Sequence, residues 1–189
     1  MRKIENIILV IATVMAIAAS TVFAAPNTVD MNQPEAQQQQ QMSKQVRHEL
    51  VMLPYYGVFD NLAYKIEGDT VTLYGQVVHA STRNDAARRV ARIAGVHRVI
   101  NNIEVLPPSS FDDEIRVRTY RAVFNAGGLY RYAMGSNPSI HIVVNRGHVA
   151  LEGTVSNEMD RRLAYIAASG VPGVFSVTNN LQVDNGRRY

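Results

Sequence analysis

Arginine carries whatever chemistry this 189-residue chain can perform, because sixteen of its nineteen basic residues are Arg. Its planar guanidinium forks onto phosphate or carboxylate, which the ammonium of lysine does not do. Arg116, Arg118 and Arg121 lie in one predicted helix, and the segment after it runs Gly127-Gly128-Leu129-Tyr130-Arg131-Tyr132. Amphipathic rings beside guanidinium groups on a glycine-loosened loop match what a protein presents to a lipid headgroup layer. The competing expectation is that Leu129 and Tyr130 pack against a neighbouring unit while the arginines face water. A second stripe, Arg83, Arg88, Arg89 and Arg92, reads mainly as a solvated helix face.

Templates for catalysis and metal binding are missing. The chain has no cysteine, so disulfides, thiolate sites, cysteine nucleophiles and a lipid-anchoring cysteine are excluded. It has no G-x-S-x-G elbow, no phosphate-binding P-loop and no G-x-G-x-x-G. Five histidines are present, and His141 and His148 flank a predicted turn across which they could face each other. No carboxylate or second-histidine spacing supports a metal there. Asp112-Asp113-Glu114 suits a helix N-terminus, where negative charge is favoured. No catalytic residue, cofactor or metal is expected, and neither nucleic acid nor a small-molecule substrate is an expected partner.

The elements that position these residues follow an exported leader. Met1-Arg2-Lys3 is basic, 7–19 is free of charge, and Val22-Phe23-Ala24 resembles a cleavage site. Residues 1–24 therefore read as a signal peptide and the compartment as a periplasm, with an uncleaved anchor as the alternative. Anionic headgroups, not nucleic acid, are the polyanion a basic protein meets there. Residues 25–42, with the run Gln37–Gln41, read as a disordered tether.

Beyond it the chain repeats itself. A shift of 78 residues lays 71–105 on 149–183 without a gap and with twelve identities, a tandem duplication with units 43–106 and 113–184 and a tail at 185–189. Each unit reads as α-β-β-α-β, an α+β fold with a three-stranded sheet and two helices on one face. In the first, Val46, Leu50 and Leu53 mark a helix stopped by Pro54. Glu67-Gly68-Asp69 turns a hairpin, Thr82 with Asp85 fits a capping box, and Gly95 ends the second helix. In the second, Val117, Tyr120, Val123 and Phe124 form the predicted helix stripe. Ile140–Val144 and Val149–Val155 form the hairpin and Val174–Val183 one last strand. Units of this size are marginal alone, so the two are expected to pack together with limited freedom.

The pattern V-x-L-x-G-x-V, a helix, then G-V-x-x-V-x-N-x-(I/L)-x-V resembles the BON domain, the module named for osmotically inducible and nodulation proteins. Gly75, Gly95, Val96 and Asn101 carry it in the first copy, and Gly153, Gly173, Val174 and Asn179 in the second. The resemblance implies a non-enzymatic, exported protein of envelope maintenance and osmotic stress whose units bind anionic phospholipid surfaces. The alternative is a periplasmic protein-interaction module that accepts a partner on a sheet edge or helix face, with no lipid affinity. Lipid-anchored dual-domain relatives carry a cysteine that this chain lacks, so a soluble or peripheral protein, not a lipoprotein, is expected.

Overall fold

The structure, a computed structural model, describes residues 33–135 and 137–184. The expected signal segment and the tail at 185–189 lie outside them. The described residues belong to one compact unit that starts at Asn32. Its elements run α1 (Gln33–Val51), β1 (Asn61–Glu67), β2 (Thr70–Val77), α2 (Ala80–Val90), β3 (Arg98–Val105), α3 (Ser110–Phe124), a 3-10 helix (Leu129–Ala133), β4 (Ile140–Asn145), β5 (His148–Val155), α4 (Glu158–Ser169), β6 (Ser176–Asn179) and β7 (Gln182–Val183). The architecture is α+β, two α-β-β-α-β units in tandem.

Strand register shows the duplication directly. In the first unit β2 lies between antiparallel β1 and parallel β3, with Leu62 opposite Gly75 and Val71 opposite Val99. In the second, Ile140 is opposite Gly153 and Val149 opposite Val177, the same partners 78 residues on. Gly75 and Gly153 adopt φ of 117° and 112°, and a Cβ on either would sit 2.0 or 2.1 Å from the carbonyl oxygen of Asn61 or Ser139. Only glycine permits that backbone and that closeness of the neighbouring strand.

Asn101 and Asn179 act as matched staples. The carboxamide of Asn101 donates to the carbonyl of Arg83 at 3.0 Å and accepts from the N–H of Ile103 at 3.2 Å. Asn179 repeats this with Arg161 at 2.9 Å and Leu181 at 3.3 Å. Each ties its helix to the last strand, using both halves of one amide.

Each unit has its own core. In the first, Met42, Val46 and Leu50 of α1 and Ala86 and Val90 of α2 cover Val71, Leu73 and Val77. In the second, Ile115 and Val123 of α3 and Ala164 and Ala168 of α4 cover Ile142, Val149 and Leu151. The units meet where 56–60 of the first lies along the outer edge of β4. The N–H of Ile142 donates to the carbonyl of Val58 at 2.7 Å. Nδ1 of His141 donates to the carbonyl of Gly57 at 3.2 Å. The ring of Phe59 stands edge-on to Tyr120.

Several expectations change. The tether reading fails over 33–42, which is helical: α1 starts at Gln33, and although Gln37–Gln41 are exposed, Met42 is buried. One inward side chain per turn is enough for a helix that packs, and a polar run conceals it from periodicity. Thr82 makes no cap. His79 is the N-cap of α2, with no side-chain bond, and Thr82 is buried. The α2 helix ends at Val90, and Gly95 (φ 87°) turns the chain after it, as Gly173 (φ 91°) does after α4. The inner stripe of α3 is Ile115, Thr119 and Val123, while Val117 and Tyr120 are exposed. The last strand of the second unit breaks at Asn180-Leu181 into β6 and β7, both paired to β5.

Candidate functional site

The helix α3 is capped by Ser109, whose hydroxyl accepts the N–H of Asp112 at 3.2 Å. Asp112 does more than welcome a helix dipole. Its buried carboxylate accepts the N–H of Arg146 and of Gly147, both at 2.8 Å, and so closes the β4–β5 turn. One turn further on, Arg116 is 3% exposed. Its guanidinium donates to the carbonyl of Val144 at 2.8 Å and pairs with Asp113. Arg116 therefore cannot reach a headgroup, which corrects the sequence expectation. Arg118 does face solvent, but it is paired with Glu114 at 2.6 Å and reaches the carbonyl of Pro172. Arg121 is exposed and has no carboxylate partner among the described residues.

The glycine-rich segment divides in the same way. Gly128, at φ 86°, starts the 3-10 helix. This helix drives Leu129 into the second unit's own core and buries Tyr132. Leu129 and Tyr132 are thus interior residues and not lipid-facing, in a cluster against which Val58 and Phe59 of the first unit also pack, while Tyr130, which the alternative also buried, is exposed. The Tyr132 hydroxyl donates to Asp160 and accepts the N–H of Ser156 at 2.8 Å. Arg131 also pairs with Asp160 and lies 4.7 Å over the Tyr132 ring. Burial pushes the Asp160 carboxyl up, but the Tyr132 and Arg131 hydrogen bonds outweigh it and hold the group below the usual carboxylate value. Arg131 is thereby a neutralised clamp between the loop and the start of α4. Of the expected loop residues only Tyr130, 63% exposed, projects freely, and Met134 projects beside the segment's end.

The expected meeting of His141 and His148 does not occur. His141 is opposite Glu152 in the hairpin, and His148 is opposite Asn145 and bonds Ser176. Among the described residues no group of three or more His, Asp or Glu is placed to hold a metal ion. No helix among them is long and apolar enough to cross a membrane.

Sequence reasoning missed the outer face of α4. Asp160, Ala164 and Ala168 face inward, which turns Met159, Arg162 and Ile166 outward in a row at i, i+3, i+7. Met159 is 73% and Ile166 59% exposed, and Arg162 has no carboxylate partner among the described residues. The signal was present as two large apolar residues off the inner stripe of a helix whose inner face is already complete with alanine.

This pair of units, each joining an antiparallel hairpin to a parallel third strand through a helix, defines a tandem α-β-β-α-β protein. The BON domain family model matches residues 40–107 and 112–185, and the chain belongs to that family, with two copies. The family is associated with phospholipid and the cell envelope and is generally non-catalytic. A search of curated proteins finds no match. Among solved structures the chain is similar to the C-terminal domain of CdsD, a structural protein of the Type III secretion system of Chlamydia trachomatis. Identity is 10% and the TM-score 0.31, over 75% of this chain and 96% of that one. A second CdsD structure gives 10% identity and a TM-score of 0.30, over 79% of this chain and 99% of that one.

Proposed function

We propose that this chain is an exported, non-catalytic envelope-maintenance protein that rests on anionic phospholipid through the outer face of α4 and the adjoining 3-10 segment. The observation that carries the reading is the outward row Met159–Arg162–Ile166, apolar, cationic, apolar, on a helix of a BON unit. Tyr130 and Met134 extend the apolar surface on a loop that Arg131 and Tyr132 clamp to Asp160. Arg121 and Arg162 supply unpaired positive charge, each worth about 1 kcal/mol near an anionic bilayer. The rival edge-strand module loses one site, because the outer edge of β4 is covered by 56–60. A leader removed before Ala25 and a periplasmic location complete the proposal.

Vesicle co-sedimentation of the chain starting at Ala25, which contains the whole compact unit, tests it. Binding is expected to phosphatidylglycerol vesicles over phosphatidylcholine, to weaken with salt, and to fall at least about tenfold in Met159→Ser/Ile166→Ser, two apolar anchors removed. Equal pelleting with both lipids, or full binding by the double variant, overturns the proposal.

A further inference from the structure

Between α1 and α2 of the first unit runs an open groove of about 750 Å³, lined by Lys44, His48, Glu49, Arg89, Arg92 and Ile93. We infer that this groove is an anion-binding site of the first unit, separate from the α4 surface, that takes a phosphate-bearing ligand. Its charge is built from two helices. Arg89 is answered by Glu49 at 3.2 Å, and Arg88, in the adjoining hollow that shares Arg89 and Arg92, by Asp85. Lys44 and Arg92 face the same space with no carboxylate partner among the described residues. The groove therefore holds two uncompensated cations and one half-buried, pre-positioned guanidinium, the arrangement that receives a phosphate by charge-assisted hydrogen bonds. Helix stabilisation accounts for Arg88 and Arg89, which sit in the last turn of α2, where the dipole favours cations. It does not account for Arg92, beyond the helix end, or for Lys44 on another helix.

The duplicated unit is an internal control. The groove floor is kept, with buried Ile93 in the first copy and buried Val171 in the second. Around it the cations of α2 have no counterparts on α4, while Arg118 and Arg121 of α3 stand where α1 has Gln45 and His48. Ile166, Ala167 and Gly170 stand where the first copy has Arg88, Arg89 and Arg92, and Leu163 stands for Asp85. Met42 and Ile115 occupy the same place beneath Gly95 and Gly173, so on α3 Val117 and Ala122 replace Lys44 and Glu49. The second copy also spans the two helices by Arg118 reaching the carbonyl of Pro172. The same fold thus carries groove cations on both helices in the first copy and on the first helix alone in the second, where Glu114 and the Pro172 carbonyl engage Arg118. Helix packing alone would not require that difference.

The probe is pyrophosphate, titrated into the chain starting at Ala25 and followed by amide and arginine Nε–H chemical shifts. Saturable shifts confined to α1, α2 and the Arg89 and Arg92 side chains are expected, weakened about tenfold in Arg92→Ala and again in Lys44→Ala, each removing one charged contact. Both residues are exposed, so the variants keep the fold, checked by an unchanged thermal midpoint. Phosphatidylglycerol vesicles separate the sources. Displacement of pyrophosphate assigns the groove to a lipid headgroup, and retention assigns it to a free phosphate ester. Shifts elsewhere, no saturation, or unaltered binding in both variants overturns the inference. Met159→Ser/Ile166→Ser is expected to keep pyrophosphate binding, so failure of the membrane proposal and of this one are read separately.

Discussion

Replacing Gly75 or Gly153 by alanine isolates the close approach on which both sheets depend. At Gly75 the new methyl carbon would lie 2.0 Å from the Asn61 carbonyl oxygen and 2.9 Å from its carbon, backbone atoms that no rotamer can move aside. Gly153 meets the Ser139 carbonyl oxygen at 2.1 Å. The substituted residue must also hold φ near 117° or 112°, a region that costs a non-glycine residue about 1–3 kcal/mol. Relieving the overlap separates the first from the second strand of the unit and strains about two ladder hydrogen bonds, each worth about 1 kcal/mol. The sum is about 4 kcal/mol, most of the stability of a marginal unit. Gly68→Ala is the control, because it also has positive φ (60°) but nothing within 4 Å, and should cost about 1 kcal/mol. Urea denaturation by circular dichroism gives the free energies, and amide exchange identifies which unit opens. If Gly75→Ala and Gly153→Ala cost no more than Gly68→Ala, the close-approach argument is wrong.

Three further outcomes are expected. Asn101→Ala and Asn179→Ala each remove a staple with two hydrogen bonds and should cost about 1–2 kcal/mol apiece, by an amount similar in the two units; urea midpoints that do not move would refute the equivalence. Asp112→Ala leaves the buried N–H of Gly147 and the part-buried N–H of Arg146 without their acceptor and should lower stability by about 1–3 kcal/mol, read as a drop in thermal midpoint with the β4–β5 amides exchanging first. His141 is held below the usual imidazole value by burial, against the pull of its Gly57 hydrogen bond and of Asp60 and Glu152. The unfolded chain therefore binds a proton near pH 6.5 that the folded chain refuses, so stability is full above that pH and falls as pH drops from 7.5 to 5.5. Asp60, raised by its own burial, acts in the opposite sense only at lower pH. A flat urea midpoint across that window, or an unchanged slope in His141→Gln, would count against this.

The sheets were legible in the sequence because strand glycines and valines recur with a fixed shift, and a strand's register follows from such a pattern. The helices were harder. On α3 the buried row is Ile115, Thr119 and Val123 with Phe124 beside it, and its polar middle member made the exposed Val117 and Tyr120 look like the apolar residues that Val123 and Phe124 continue. That error in phase put Arg116 outside when it is inside. The Gln-rich stretch failed for a related reason: it adds only Met42 to the inward row that Val46 and Leu50 continue along α1, and the polar run before Met42 carries no periodicity of its own. Of the residues expected at the surface over 116–132, Arg118, Arg121 and Tyr130 face outward. Buried Asp160 decided the rest, drawing Arg131 and Tyr132 inward across a separation no local pattern reports.

Arg116 and Val58 share a role that neither suggests by itself. An outermost strand offers its free N–H and C=O groups to any other extended chain. On β4 the N–H of Ile142 is taken by Val58 and the C=O of Val144 by Arg116. Two of the groups that a neighbouring molecule would pair with to extend this sheet are already engaged within the chain. Pairing of one copy with the next through β4, the first step of fibre growth, therefore meets Val58 and Arg116 already in place at Ile142 and Val144.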